Sequence, residues 1–173
     1  IDFHMHTKYS DGMYTPREMV FSSMLMGLDA IAITDHDNIE GYKEGKLAAK
    51  KYGIDFYSGV EFSCKGYHIL GLNFDVKNKQ INELINYSKN MQKEISTKRT
   101  EILRENGFPI DIKKVQNYFP KARIGKYNVF MSLLMDKDCR KEMYRQHGNM
   151  PMPELIQRYI RKGGLISTIK DRP

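Results

Sequence analysis

The 173-residue sequence contains no apolar run near the roughly 20 residues that a membrane-spanning helix requires. Its longest, around residues 28–34, falls far short. Cysteine is scarce: Cys64 and Cys139 are the only two, in no CxxC or paired-ligand spacing. A disulfide framework is therefore not expected, and a reducing cytoplasm is. The sequence opens on Ile1-Asp2-Phe3-His4 rather than on a basic-then-apolar leader, and neither secretion nor membrane anchoring is expected. There is no internal repeat and no low-complexity stretch. No serine or cysteine has a base at the spacing of a nucleophilic triad, and Cys64 reads as structural. What remains is 40% hydrophobic and 28% charged residues, a composition that excludes wholesale disorder and suits one domain with a small insertion.

The net charge of +7 is unevenly spread. Residues 1–75 carry 7 Lys/Arg against 11 Asp/Glu, and residues 76–173 carry 21 against 10. An acidic first part can hold cations, and a basic second part either draws anions or phosphates or is simply a set of solvated helix faces.

Hydrophobic patterning gives the organisation. Residues 1–4 are short and strand-like, and the polar loop 7–14 contains the turn chemistry of Ser10-Asp11-Gly12. Thr15-Pro16-Arg17-Glu18 predicts a helix start, with Thr15 as N-cap, Pro16 in the first turn and Glu18 closing a capping box. Met19, Val20, Met24 and Leu25 follow at helical spacing up to Gly27. Residues 30–33 form an apolar run typical of a strand buried on both faces. A second helix is expected over 38–52, with Asp37 as its cap, and strands over 54–62 and 67–72. From Lys77 the texture becomes helical. Ile81, Leu84, Ile85, Tyr87, Ser88, Met91 and Ile95 share one period that can run to Glu105. Shorter helices are expected near 112–118, 127–135 and 153–161, and a buried strand over 165–169. The expected organisation is an α/β core of residues 1–77 and 161–173, interrupted by a basic helical insertion over 78–160.

The chemistry gathers at the strand ends. His4 and His6, two residues apart on a strand, point to one face and lie about 7 Å apart at the backbone. Asp11 follows in the next loop, Asp35-His36-Asp37 after the strand at 30–33, Glu61 in a later strand and His68 in the one after. Individually each has a bland reading: a chance HxH, a turn aspartate, two helix caps. Together they place four of the five histidines within 68 residues, each near a carboxylate. Mixed imidazole and carboxylate ligation suits Zn, Mn or Fe. His147 reads as a loop residue.

These residues resemble a known family. His4-Met5-His6-Thr7 with Ser10-Asp11-Gly12, Thr15-Pro16, the segment from Ile31 to Asp37, Gly59-Val60-Glu61-Phe62-Ser63 and His68-Ile69-Leu70-Gly71 are similar to the polymerase and histidinol phosphatase (PHP) domain, and most similar to its stand-alone bacterial metal-dependent phosphoesterases. The resemblance implies a distorted seven-stranded β/α barrel, incomplete at its C-terminus here, with two or three metal ions at one face. It implies that His4, His6 and Glu61 hold one ion, that Asp11 and His36 help hold a second, and that His68 with Glu61 holds a third. The second half departs from the pattern. Lys126 and Asn128 stand where the family has Arg and His, and no histidine follows Ile169. A shortened chain, an omitted segment and a degenerate member all remain open.

The expected activity is hydrolysis of phosphate esters of nucleotides or short oligonucleotides by a metal-activated water. Arg123 and Lys126 are the expected contacts to substrate phosphate. A histidinol-phosphatase-like enzyme for small metabolites and a non-catalytic metal-binding module are the alternatives. Beyond a phosphorylated small molecule, nucleotide or short oligonucleotide, no membrane and no obligate protein partner is expected.

Overall fold

The computed structural model describes residues 1–64 and 67–167. Its first half alternates strand and helix as the patterning predicts: β1 (Asp2–Met5), α1 (Pro16–Leu25), β2 (Ala30–Ile33), α2 (Tyr42–Tyr52), β3 (Asp55–Cys64) and β4 (Tyr67–Leu72). The strands form one four-stranded sheet in the order β1-β2-β3-β4. β1, β2 and β3 pair in parallel, and β4 returns antiparallel along β3, with Glu61 opposite Leu70 and Ser63 opposite His68. The α/β class is as expected. The described residues contain four of the seven strands that the resemblance implies, a partial barrel.

Local chemistry explains these elements. The α1 start is a complete capping box: Thr15 Oγ1 accepts from the Glu18 amide at 3.1 Å, and the Glu18 carboxylate accepts from the Thr15 amide at 2.7 Å. The helix gives way at Gly27, whose φ of +70° suits glycine. Val20 is fully buried and Met19 and Met24 pack beside it, whereas Leu25, expected on the same face, is exposed. Met5, Val20, Ile31, Ile33, Ala48, Ala49 and Ile54 make the core between the sheet and its helices. Gly59 lets β3 lie close to β2, since a Cβ there would sit 2.6 Å from the Ile33 carbonyl oxygen.

Two expectations need correction. The second helix begins at Tyr42 rather than residue 38, because Asp37 has a positive φ of 46° and Asn38 donates to the Tyr9 carbonyl at 2.7 Å. Asp37 therefore does not cap it. Residues 165–167 are turns, not strand; buried Ile166 donates its amide to the Tyr159 carbonyl at 3.0 Å. The rest of that expected strand, 168–169, lies outside the described residues.

The second half is helical: α3 (Lys79–Glu105), α4 (Ile112–Tyr118), α5 (Lys126–Met135), α6 (Lys137–His147) and α7 (Met152–Tyr159). α3 runs to Glu105 as its periodicity predicts, although Leu84 and Tyr87 face solvent. α6 was not expected. Asp136 caps it, accepting from the amides of Asp138 at 3.0 Å and Cys139 at 2.9 Å. The fold divides into two compact units, residues 1–90 with 121–123, and residues 91–120 with 124–173. In the second, Phe108, Phe130 and His147 all meet the Tyr159 ring, and fully buried Arg99 donates Nε to the Ile166 carbonyl at 3.2 Å. Among the described residues no helix is long and apolar enough to cross a membrane.

Candidate metal centre

All six residues singled out as ligands fall in the first unit, and the fold brings them together. β1 carries His4 and the chain just past it His6; the loop after supplies Asp11. His36 lies beyond β2, in a parallel bridge with Glu61 on β3, and His68 lies on β4. Three trios emerge, each with one ligand atom per residue within 4.8 Å of the others: His4, His6 and Glu61; His6, Asp11 and His36; His36, Glu61 and His68.

Glu61 is the hub, and it is buried at 4% exposure. Its Oε2 lies 3.0 Å from both His4 Nε2 and His6 Nε2 and 3.6 Å from His36 Nδ1, while its Oε1 lies 2.6 Å from His68 Nδ1. Asp11 stands 3.5 Å from His6 Nδ1 and 3.7 Å from His36 Nε2. The imidazoles form a chain, with centroids 5.2 Å apart for His4–His6, 4.7 Å for His6–His36 and 5.0 Å for His36–His68.

Burial alone pushes the Glu61 pKa up, but the hydrogen bond from His4 and the neighbouring His36, His6 and His68 outweigh it and hold the carboxyl below its ordinary range. Burial lowers the His36 pKa to about 4 against the opposing pull of Asp11 and Glu61, so this ring is neutral at pH 7 and keeps a lone pair. Imidazole nitrogens converging on an ionised, buried carboxylate are a donor set that fits borderline divalent ions.

The supporting residues were not legible in the sequence as a set. Buried Asp35 accepts at 2.6 Å from each of the Thr7 amide, Thr7 Oγ1 and Ser10 Oγ, which fixes the loop between His6 and Asp11. Gly12 closes that loop, because a Cβ there would lie 2.3 Å from the His6 carbonyl oxygen. Asp37 pairs with Arg123 at 2.9 Å, and the same guanidinium nitrogen donates to Ser63 Oγ at 3.1 Å. The only hint was the pair of aspartates flanking His36. Lys126 is exposed at the first position of α5, in the second unit. His147 ends α6 and meets the Tyr159 hydroxyl at 2.8 Å, apart from the cluster in sequence and in unit.

A mostly parallel sheet flanked by helices, with imidazoles and carboxylates gathered at one face, defines an α/β protein with a candidate metal centre. The PHP domain family model matches residues 2–126, and the chain belongs to that family. It is similar to a 5'-3' exoribonuclease of Haemophilus influenzae (35% identical, 62% of this chain and 41% of that protein) and to a 3',5'-nucleoside bisphosphate phosphatase of Chromobacterium violaceum (39% identical, 43% of this chain and 28% of that protein). The alignments thus span less than half the length of either relative. An amidohydrolase structure from Chromobacterium violaceum, with bound sulfate and no metal, superposes on 96% of this chain and 57% of its own at TM-score 0.75 and 22% identity, a likeness of fold.

Proposed function

We propose that the chain carries the metal site of a phosphoesterase that hydrolyses phosphate esters of nucleotides or short oligonucleotides. The observation that carries this reading is the convergence of His4, His6, Asp11, His36, Glu61 and His68, in a PHP domain, into three overlapping trios. His4, His6 and Glu61 would hold one ion, Asp11 and His36, with His6 beside them, would help hold a second, and His68 with Glu61 a third; Mn, Zn and Fe all suit the donors. Divalent ions, when bound, polarise phosphoryl oxygens and bring water toward its reactive form near neutral pH.

The chain's own residues set the selectivity. Asp11 and Glu61 bring two negative charges to the cluster, while Asp35 and Asp37 spend theirs on Thr7, Ser10 and Arg123. Two divalent ions against two carboxylates already leave the face net positive, which draws phosphate. His36, neutral at pH 7, presents a nitrogen donor without adding charge, and partly exposed His4 and His68 flank Glu61 beside it. Lys126 is proposed to meet the substrate's phosphate as a point charge. The names of the two relatives favour nucleotide chemistry over a small metabolite such as histidinol phosphate.

The test is turnover by the Mn-loaded 173-residue chain of a 5'-phosphorylated oligoribonucleotide, a nucleoside 3',5'-bisphosphate and histidinol phosphate. Release of phosphate or mononucleotide from the first two, lost with excess chelator, is the expected result. Metal bound at the six residues with no turnover of any substrate would establish the non-catalytic module instead.

A further inference from the structure

Arg123 was expected to grip substrate, but its guanidinium is turned inward, and its partners form a line that ends on a proposed ligand. The side chain is 10% exposed, and Asp37, its ion-pair partner at 2.9 Å, is fully buried. The same Nη2 donates to Ser63 Oγ at 3.1 Å, and Ser63 Oγ lies 3.3 Å from His36 Nδ1. Asp37 braces this line a second time, accepting from the Ser63 amide at 3.2 Å. The Arg123 amide donates to the Tyr9 carbonyl at 3.1 Å, tying residue 123 to the loop that leads to Asp11.

We infer that Asp37, Arg123 and Ser63 act as a positioning relay that fixes the ring orientation and tautomer of His36. A guanidinium only donates, so Ser63 Oγ accepts from Arg123 and keeps one lone pair beside its own O–H. In the relay His36 Nδ1–H donates into that lone pair, the one direction that leaves an Nε2 lone pair facing Asp11 and His6. Imidazole ligands are commonly oriented in this way, by an acceptor for their second ring nitrogen, and losing such a partner weakens metal binding about 10- to 100-fold. The arrangement also accounts for Asp37, a non-glycine residue with φ of +46°, a conformation that orients its carboxylate between Arg123 and the Ser63 amide. Arg123 is thereby a positioning residue, and a substrate phosphate would have to compete with Asp37 for it.

The inference rests on the metal reading above, and the experiment separates the two. Mn2+ binding to the 173-residue chain is titrated calorimetrically for the parent, Ser63→Ala, Ser63→Thr and Arg123→Lys, and metal-free melting is recorded for each. Ser63→Ala leaves the Arg123–Asp37 pair in place and tests the relay without the risk of a stranded buried carboxylate. We expect Ser63→Ala and Arg123→Lys to bind about 10- to 100-fold more weakly, and Ser63→Thr, which keeps the hydroxyl, to stay within about threefold. In a His36→Ala background, Ser63→Ala should add nothing, because both changes remove one interaction. Long-range 15N spectra of the metal-free parent should find His36 protonated at Nδ1, and Ser63→Ala should lose that preference. A parent that binds no Mn2+ or Zn2+ overturns the metal reading. A binding parent with Ser63→Ala inside twofold, or a Ser63→Ala effect undiminished by His36→Ala, overturns the relay. Unchanged Mn2+ affinity in Arg123→Lys with a raised KM for nucleotide would return Arg123 to the substrate.

Discussion

Asp35 offers a quantitative test of how the loop bearing Asp11 is held. Its carboxylate is 1% exposed and accepts three hydrogen bonds of 2.6 Å, two on Oδ1 from the Thr7 amide and Ser10 Oγ and one on Oδ2 from Thr7 Oγ1. Burial raises its pKa, and the Ser10 and Thr7 hydrogen bonds offset this only in part. Replacing it with Ala strands a buried amide and two hydroxyls. At about 1–3 kcal/mol for each unsatisfied group, reduced because hydroxyls rotate and because a costly buried charge disappears, the net loss is about 2–4 kcal/mol. Asn behaves differently. Its Oδ1 can keep the Thr7 amide and Ser10 hydroxyl, and its Nδ2 can donate to Thr7 Oγ1, so Asp35→Asn should stay within about 1 kcal/mol of the parent. The pH dependence follows from the direction of the shift. A carboxyl whose folded pKa is raised contributes stability below its unfolded value near 3.9, and that contribution is lost as pH rises through the folded pKa. Asp35→Asn should lack this decline. Urea unfolding with excess chelator, from pH 4 to 8, measures both. If Asp35→Ala costs under 0.5 kcal/mol, or Asp35→Asn costs as much as Asp35→Ala, the three hydrogen bonds do not hold the loop and the reasoning fails.

The other expectations are simpler. Lys114 and the amide of Cys139 help depress the Asp136 pKa to about 2 against burial, so its stabilising effect is present above pH 4 and should fade as pH falls toward 2; Asp136→Ala should cost about 0.5–2 kcal/mol at pH 7 by thermal melting. Gly59→Ala would press a methyl against the Ile33 carbonyl and Thr34, so a loss of about 1–3 kcal/mol in urea unfolding is expected. Glu61→Gln should cut Mn2+ affinity more than any single histidine change by calorimetry, because Glu61 alone joins two of the three trios as a carboxylate. Lys126→Ala should raise KM for a nucleotide by about tenfold and leave metal content unchanged; equal KM would remove Lys126 from the substrate contact.

Where short-range chemistry decides structure, the sequence was readable. Thr15, Pro16 and Glu18 specify the start of α1 from within one turn, and the run at residues 30–33 needs only its apolar character to become a buried strand. The six candidate ligands were legible because each follows or interrupts a strand, where an isolated His, Asp or Glu is conspicuous. Long-range chemistry hid the rest. The delayed start of α2 depends on Asn38 reaching Tyr9, and Asp37 looks like a cap until Arg123 arrives from 86 positions away. α6 buries only Cys139 and Met143, so its charged sequence lacks an apolar stripe, although Asp136 was a usable start signal. Residues 165–169 were ambiguous in principle, since a short apolar run buries equally well in a turn closed on Tyr159.

The order of pairing across the sheet also bears on how the centre comes into being. β3 and β4 are neighbours in sequence and pair antiparallel, so Glu61 and His68 can meet early, through a short closure on the microsecond scale. His4, His6 and His36 reach Glu61 only when β1 has paired with β2 and β2 with β3, parallel pairings that span whole crossover connections and close slowly. The local pairs, His6 with Asp11 and Glu61 with His68, need only short closures, and the complete donor set waits on the long parallel pairings.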